Sequence, residues 1–314
     1  CWFSRSSIFC QSIRQNNSMT NKNFLSLFAK SFNWAGFFLP KKVYQDCSKL
    51  YAFCRILDDI VDEKINLEVK IKRFEKIKSF FEKSYDLNQK ETLLSHKNEN
   101  EVAIDNLISL AKNYNIKKII LDDLIDGVAS DLKHKVYMRS VKDLLIYSYK
   151  VAGTVGLMMS RILNVTDSRA LKGAIDLGIA MQLTNISRDV IEDKRMNREY
   201  IKPDFENIRA TLKLADMFYE SSFSSIQKIP FKYKFSIIVA RRIYRQIGRK
   251  ILKKKNMENY EKSGKIYVNN FEKVFQTFLS LFDLIYIYLR EIEPHQRIKE
   301  HEIIRQEIEL NERI

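Results

Sequence analysis

The chain has 314 residues, 45% of them hydrophobic, and carries 54 Lys and Arg against 39 Asp and Glu, a net charge of +15. That length and apolar content suit one large domain with a sizeable core. With only 4 Pro and 8 Gly the chain lacks the punctuation of a many-turned β protein. Its four cysteines show no CxxC or His-rich spacing, so they imply neither a zinc module nor a disulfide framework.

Residues 1–18 hold Ser, Arg, Asn and Gln but no acidic residue, and end just before Met19. A transit segment would need a starting Met, so the stretch reads as an N-terminal extension or mis-assigned start outside the fold. From residue 22 onward the apolar spacing is helical. Helices are predicted near 22–37, 41–63, 66–84, 100–113, 116–132, 140–163, 167–196, 206–226, 231–253 and 267–290. A charged tail, 291–314, follows, helical over about 296–312. The polar stretch Leu87–Asn100 is the expected exposed loop. No strand alternation, fixed-period repeat or linker is visible, so residues 19–290 are read as a single all-α domain. Cys47 and Cys54 lie seven apart on one predicted helix and read as small core residues, which fits a reducing, cytoplasmic setting. Val274–Leu289 is the most apolar run, but it is shorter than the about 20 residues a span needs and carries Gln276 and Asp283. It is expected to be a buried or membrane-facing helix.

Three causes compete for the positive charge: a surface that attracts anionic membrane or nucleic acid, an anionic substrate, or a Lys-rich compositional drift. Negative charge gathered against that background points to bound cations. In YAFCRILDDIVDE, residues 51–63, Asp58 and Asp62 share a helix face, with Asp59 beside them. Like charges at this spacing weaken a helix unless a cation sits between them, and magnesium takes carboxylate oxygens together with phosphate and water. Taken alone, such a pair is more often a solvated acidic face. Residues 122–126, DDLID, repeat the spacing and read as a plain helix end before Gly127.

The second acidic face is less easily explained by packing. In QLTNISRDVIED, residues 182–193, Asn185, Asp189 and Asp193 step by four, drifting about 40° per step. Gln182 flanks that face and Arg188 adds a fixed cation. Two such faces are expected to converge across a central cavity and hold magnesium around a diphosphate. Between them, YSYKVAGTVGLMM, residues 147–159, places Gly153 and Gly156 mid-helix. Each costs up to about 1 kcal/mol relative to Ala. Either close helix packing or close approach of a bulky ligand compensates, with Tyr147, Val151 and Leu157 as candidate tunnel wall.

Together with KSFNWAGFFLP at 30–40 and REYIKPD at 198–204, these blocks resemble the phytoene and squalene synthases, nearest the bacterial phytoene synthase branch. The resemblance covers most of residues 28–275. It implies an isoprenoid-synthase-like helical bundle around a central cavity, with three magnesium ions on Asp58, Asp62, Asn185, Asp189 and Asp193. Catalytic roles fall to Tyr51, Arg55, Tyr147 and Arg188. Substrate contacts fall to Lys30, Ser31, Phe32, Val151, Ala152, Gly156, Gln182, Arg198, Tyr200 and Tyr260, with Lys273 a further phosphate-side candidate. Asp126 and Asp131 match a family pattern, with a role in structure or in supporting the metal ligands rather than in binding metal. Phe28 and Ala29 stand where many relatives carry a small polar or His residue, and Lys265 stands where Arg is frequent, which loses the bidentate fork.

The implied reaction joins two prenyl diphosphates head to head through a cyclopropyl intermediate. The phytoene branch then loses a proton and needs no NADPH. Gly36 and Ser48, small residues where the family's tunnel ends, favour geranylgeranyl diphosphate; farnesyl diphosphate, giving dehydrosqualene or squalene, is the alternative. A peripheral membrane attachment and a monomer are expected. A non-catalytic assembly factor on the same fold would have lost acidic residues from one face, and both are intact. A nucleic-acid-binding protein would need a basic stripe and no cavity, so no nucleic-acid partner is expected.

Overall fold

The computed structural model describes residues 30–86, 98–289, 295 and 298–314. The N-terminal extension, the expected helix start at 22–29 and most of the loop from Leu87 lie outside the described residues, as do the side chains of Lys30, Ser31 and Phe32.

The described helices are α1 (Lys30–Gly36), α2 (Lys41–Asp62), α3 (Leu67–Asp86), α4 (Glu99–Asn113), α5 (Lys118–Ala129), α6 (Val141–Ser148), α7 (Thr154–Ile162), α8 (Ser168–Arg195), α9 (Phe205–Ser225), α10 (Phe231–Leu252), α11 (Met257–Lys262), α12 (Asn270–Leu289), α13 (Lys299–Arg305) and α14 (Leu310–Arg313). Several starts are fixed by side chains that take up the otherwise unpaired first N–H groups. Asn98 and Glu101 form a capping box on α4. Ser140 caps α6, Asp167 caps α8, Asp204 caps α9 and Asn256 caps α11.

The centre of the bundle is α8, buried nearly all round between α7, α9 and α10. Small residues permit that crowding. A Cβ on Gly156 would lie 2.2 Å from the Ala174 carbonyl oxygen, and one on Gly178 2.2 Å from that of Ala152. The mid-helix glycines therefore serve close packing of α7 on α8. Cys47 and Cys54 are buried and free, as expected of small core residues.

Three differences from the sequence reading stand out. The helix expected over 140–163 is interrupted by a π turn, Tyr149–Gly153, between α6 and α7. One inserted residue leaves no mark on composition or apolar spacing. Secondly, Val136–Tyr137 and Arg198–Glu199 form a short parallel strand pair, β1 and β2, where no strand was expected. A two-residue strand is too short to show alternation. It forms because the stretch after α5 runs beside the turn after α8, and their backbone groups need partners: Val136 N–H donates to Asn197 O at 3.0 Å. Thirdly, the tail is not one helix over 296–312 but α13 and α14, and it buries Ile304 and Ile308 against the body.

Candidate active site

The C-terminal half of α2 carries Asp58 and Asp62, both buried, while Asp59 points outward and pairs with Arg55 at 2.6 Å. The C-terminal half of α8 carries Gln182, Asn185, Asp189 and Asp193, all buried. The two faces meet through Arg198 on β2. Its Nη1 donates to Asp62 at 2.6 Å and its Nη2 to the Val61 carbonyl at 2.9 Å. Asn197 makes the turn that delivers it, at φ 58, a left-handed conformation that Asn tolerates. On α8 itself, Arg188 forms a two-pronged pair with Asp189 at 2.8 and 2.5 Å, and Lys265 lies 3.7 Å from the same carboxylate.

Asp131, read from sequence as structural or as a support for the metal ligands, lies close to both faces. It accepts from the hydroxyls of Tyr147 and Tyr200, each at 2.9 Å. Those rings stack with centroids 4.9 Å apart. Asp131 acts electrostatically on Asp58 and Asp193 as well as Arg198, so it belongs to the centre of the acidic site. Its partner tyrosines are distant in sequence, and no spacing rule joins them. Burial, then Asp131, holds both hydroxyls well above the ordinary tyrosine range.

The carboxylates are electrically unequal. Burial, then repulsion from Asp62, pushes Asp58 up to about 8. Burial, reinforced by Asp189, pushes Asp193 up to about 7. Burial also works to raise Asp189, but Arg188 outweighs it and holds that carboxyl below the ordinary range. Asp58 Oδ2 and both polar atoms of the Gln182 side chain are buried with no hydrogen-bond partner among the described residues. Buried polar atoms almost always have partners. An orphaned carboxylate oxygen, with further buried carboxylates across from it, fits a divalent cation.

An apolar cavity of about 70 Å³ lies beside the N-terminal half of α8. Its wall includes Gly156 and Met159 of α7, Leu163 just after it, and Ala174, Leu177 and Met181 of α8. None of Gln182, Asn185, Asp189 and Asp193 lines it, so the cavity lies along α8 from the acidic face rather than within it. Of the tunnel residues expected from sequence, Gly156 lines it; Tyr147, Val151 and Leu157 do not. Gly36 and Ser48 do not line it either. A Cβ on Gly36 would lie 2.6 Å from the Tyr44 ring, and Ser48 Oγ donates to the Tyr44 carbonyl. Their smallness therefore answers to Tyr44, not to this cavity.

A family model described as squalene/phytoene synthase matches residues 26–205. The chain belongs to the squalene/phytoene synthase family. It is 32% identical over 255 residues to the 15-cis-phytoene synthase of Paracoccus sp. (strain N81106 / MBIC 01143), covering 75% of this chain and 82% of that one. It is 29% identical over 253 residues to the 15-cis-phytoene synthase of Enterobacter agglomerans, covering 71% and 82%. Among solved structures, a dehydrosqualene synthase bound to a ligand matches with a TM-score of 0.62 and 26% identity, over 88% of this chain and 96% of that one. A squalene synthase from Alicyclobacillus acidocaldarius shares the fold at a TM-score of 0.58 and 17% identity, over 76% and 91%.

Within this squalene/phytoene synthase, other expected residues take clear places. Tyr51 is buried on α2 and Ala152 in the π turn, with Val151 beside it. Tyr260 spends its hydroxyl on the carbonyls of Ser187 at 3.1 Å and Arg188 at 2.6 Å, which braces the α8 backbone. Lys273 is buried with its Nζ 5.8 Å from the Trp34 ring centroid. The repeated DDLID spacing is structural: Asp122 pairs with Lys118, Asp126 with Lys78 and Asp123 with Arg313.

Proposed function

We propose that the protein is a prenyltransferase that joins two geranylgeranyl diphosphates head to head to give phytoene. The observation that carries this reading is the meeting of two buried acidic faces at Arg198, which donates to Asp62 on one and acts on Asp193 of the other. The named bacterial phytoene synthases support the C20 substrate. Asp58, Asp62, Asn185, Asp189 and Asp193 would hold magnesium. Bound there, magnesium stabilises negative charge on a departing diphosphate.

The chain's own residues do the rest. Arg188 and Lys265 on the α8 side place positive charge where diphosphate oxygens would lie. The C1–O bond of one substrate breaks and diphosphate leaves with the electron pair. The C2=C3 double bond of the second attacks C1, and proton loss closes a cyclopropane. Departure of the second diphosphate, rearrangement and loss of another proton give the linear product. Two protons and two diphosphates are released, so no reductant enters. The stacked Tyr147 and Tyr200 rings suit an allylic cation, and their raised pKa values keep the hydroxyls neutral. The apolar side chains that line the small cavity, Met159, Leu177 and Met181 among them, suit a hydrocarbon tail.

Incubation with C15 and C20 diphosphates separately, with magnesium or EDTA and with or without NADPH, tests the reading. A C40 hydrocarbon from C20, formed without NADPH and lost in EDTA, is expected. A C30 product alone would assign the enzyme to farnesyl diphosphate, and no product from either would favour the non-catalytic reading.

The same proposal extends to location. No described helix is long and apolar enough to cross a membrane. Yet α12 exposes Phe271, Phe275, Phe278, Phe282, Ile285 and Leu289, each about half exposed or more. On a chain of net charge +15, this stripe fits a peripheral seat on an anionic bilayer. Sedimentation with anionic liposomes at low salt is expected; protein left wholly in the supernatant would rule this seat out.

A further inference from the structure

Two buried carboxylates outside the acidic site, Asp123 and Asp176, both face the C-terminal segment. Asp176 on α8 accepts from His295 Nε2 at 2.7 Å, from His301 Nε2 at 2.9 Å and from Ser221 Oγ. Two histidines and a carboxylate have the residue types of a metal centre. The Ile298 N–H decides otherwise, because it donates to His301 Nδ1 at 3.2 Å. The neutral ring must then carry its proton on Nε2, facing Asp176. A metal on that nitrogen would move the proton to Nδ1, against the Ile298 donor. The cluster is a hydrogen-bonded anchor for the segment.

The second carboxylate leads back to the active site. Arg313 Nε donates to Asp123 Oδ2 at 2.7 Å and its Nη2 to Oδ1 at 3.3 Å. The same Oδ2 accepts from the Tyr149 hydroxyl at 3.1 Å. Tyr149 is wholly buried and opens the π turn. One side of that turn leads to Tyr147, bonded to Asp131; the other carries Ala152, whose carbonyl meets Gly178. A π turn is intrinsically less favourable than continuous α-helix and depends on outside contacts.

We propose that Arg313, acting through Asp123 and Tyr149, is a positioning residue that holds the π turn in the register the active site needs, with Asp176 and its two histidines anchoring the segment that carries it. The proposal rests on the synthase reading for its activity readout but not for its structural one. The test is Arg313→Ala, Tyr149→Phe and their double variant in the full chain, with Arg313→Lys as a milder change. Expected for Arg313→Ala is a kcat about tenfold lower, since small misplacements carry large rate costs, with KM within about twofold of wild type. Tyr149→Phe should lower kcat similarly, and the double variant should be no worse than the poorer single. Arg313→Lys, which keeps charge without the fork, should fall between. Hydrogen exchange at the amides of 149–154 should be faster in Arg313→Ala. Unchanged kcat and exchange, or losses that simply multiply in the double variant, would overturn the proposal. If wild type turns over neither substrate, the synthase reading fails, and the exchange result still decides the positioning claim.

Discussion

Asp189→Asn is expected to lower turnover by about a thousandfold or more while leaving the bundle folded. The substitution keeps the shape of the side chain and removes the charge that Arg188 and Lys265 stabilise. Asp58→Asn should lose turnover too, but its effect on stability differs in a way that can be measured. The Asp58 carboxyl is raised from 3.8 to about 8 in the folded, metal-free protein. Between those values the folded chain holds a proton that the unfolded chain has released. The contribution of Asp58 to stability therefore falls as pH climbs from about 4 to about 8. An uncharged Asn escapes that loss. In EDTA, the Tm of Asp58→Asn relative to wild type should rise between pH 5.5 and 8.5, and magnesium should raise the wild-type Tm most at the higher pH. Wild-type turnover in either variant would remove these carboxylates from the metal site. A pH-independent difference in Tm would remove the burial account of Asp58.

Gly178→Ala carries the largest expected cost in stability. Its new methyl would sit 2.2 Å from the Ala152 carbonyl oxygen and 2.7 Å from the carbonyl carbon. Both are backbone atoms, so no rotamer change relieves the clash, and α8 must move away from the π turn. Overpacking of this kind costs about 3 kcal/mol, and the movement also disturbs the wall that α7 and α8 share. Gly248→Ala makes a useful contrast. There the only neighbour is Leu212 Cδ2 at 3.1 Å, the end of a flexible side chain, so a loss below about 1 kcal/mol is expected. Urea unfolding of the two variants measures the difference. Equal, small losses would show that the α7–α8 contact is not constrained by backbone.

The helices and the two acidic faces were legible because each is a local pattern. A 3.6-residue period places Asp58 near Asp62, and Asn185 near Asp189 and Asp193, whatever the rest of the fold does. Features that depend on distant partners were not. Asp131 could not be promoted from sequence, because Tyr147 and Tyr200 reach it only after folding. The same limit hid what Asp123 does: its stretch reads as a plain helix end, and Arg313 becomes its partner only after folding. Gly36 adds a contact of the same kind: a Cβ there would lie 2.6 Å from the Tyr44 ring, which its smallness alone does not announce. The π turn escaped because it alters register without altering composition.

The bond between Arg198 and Asp62 joins residues 136 apart in sequence. Contacts of such separation form late in folding, because the intervening chain must first be organised. Until Arg198 arrives, Asp58 and Asp62 lack the guanidinium that draws the two halves of the centre together. During synthesis, Asp58, Asp62, Asn185, Asp189 and Asp193 all leave the ribosome before Arg198 does. The guanidinium that faces Asp62 is therefore the last of these groups to be made.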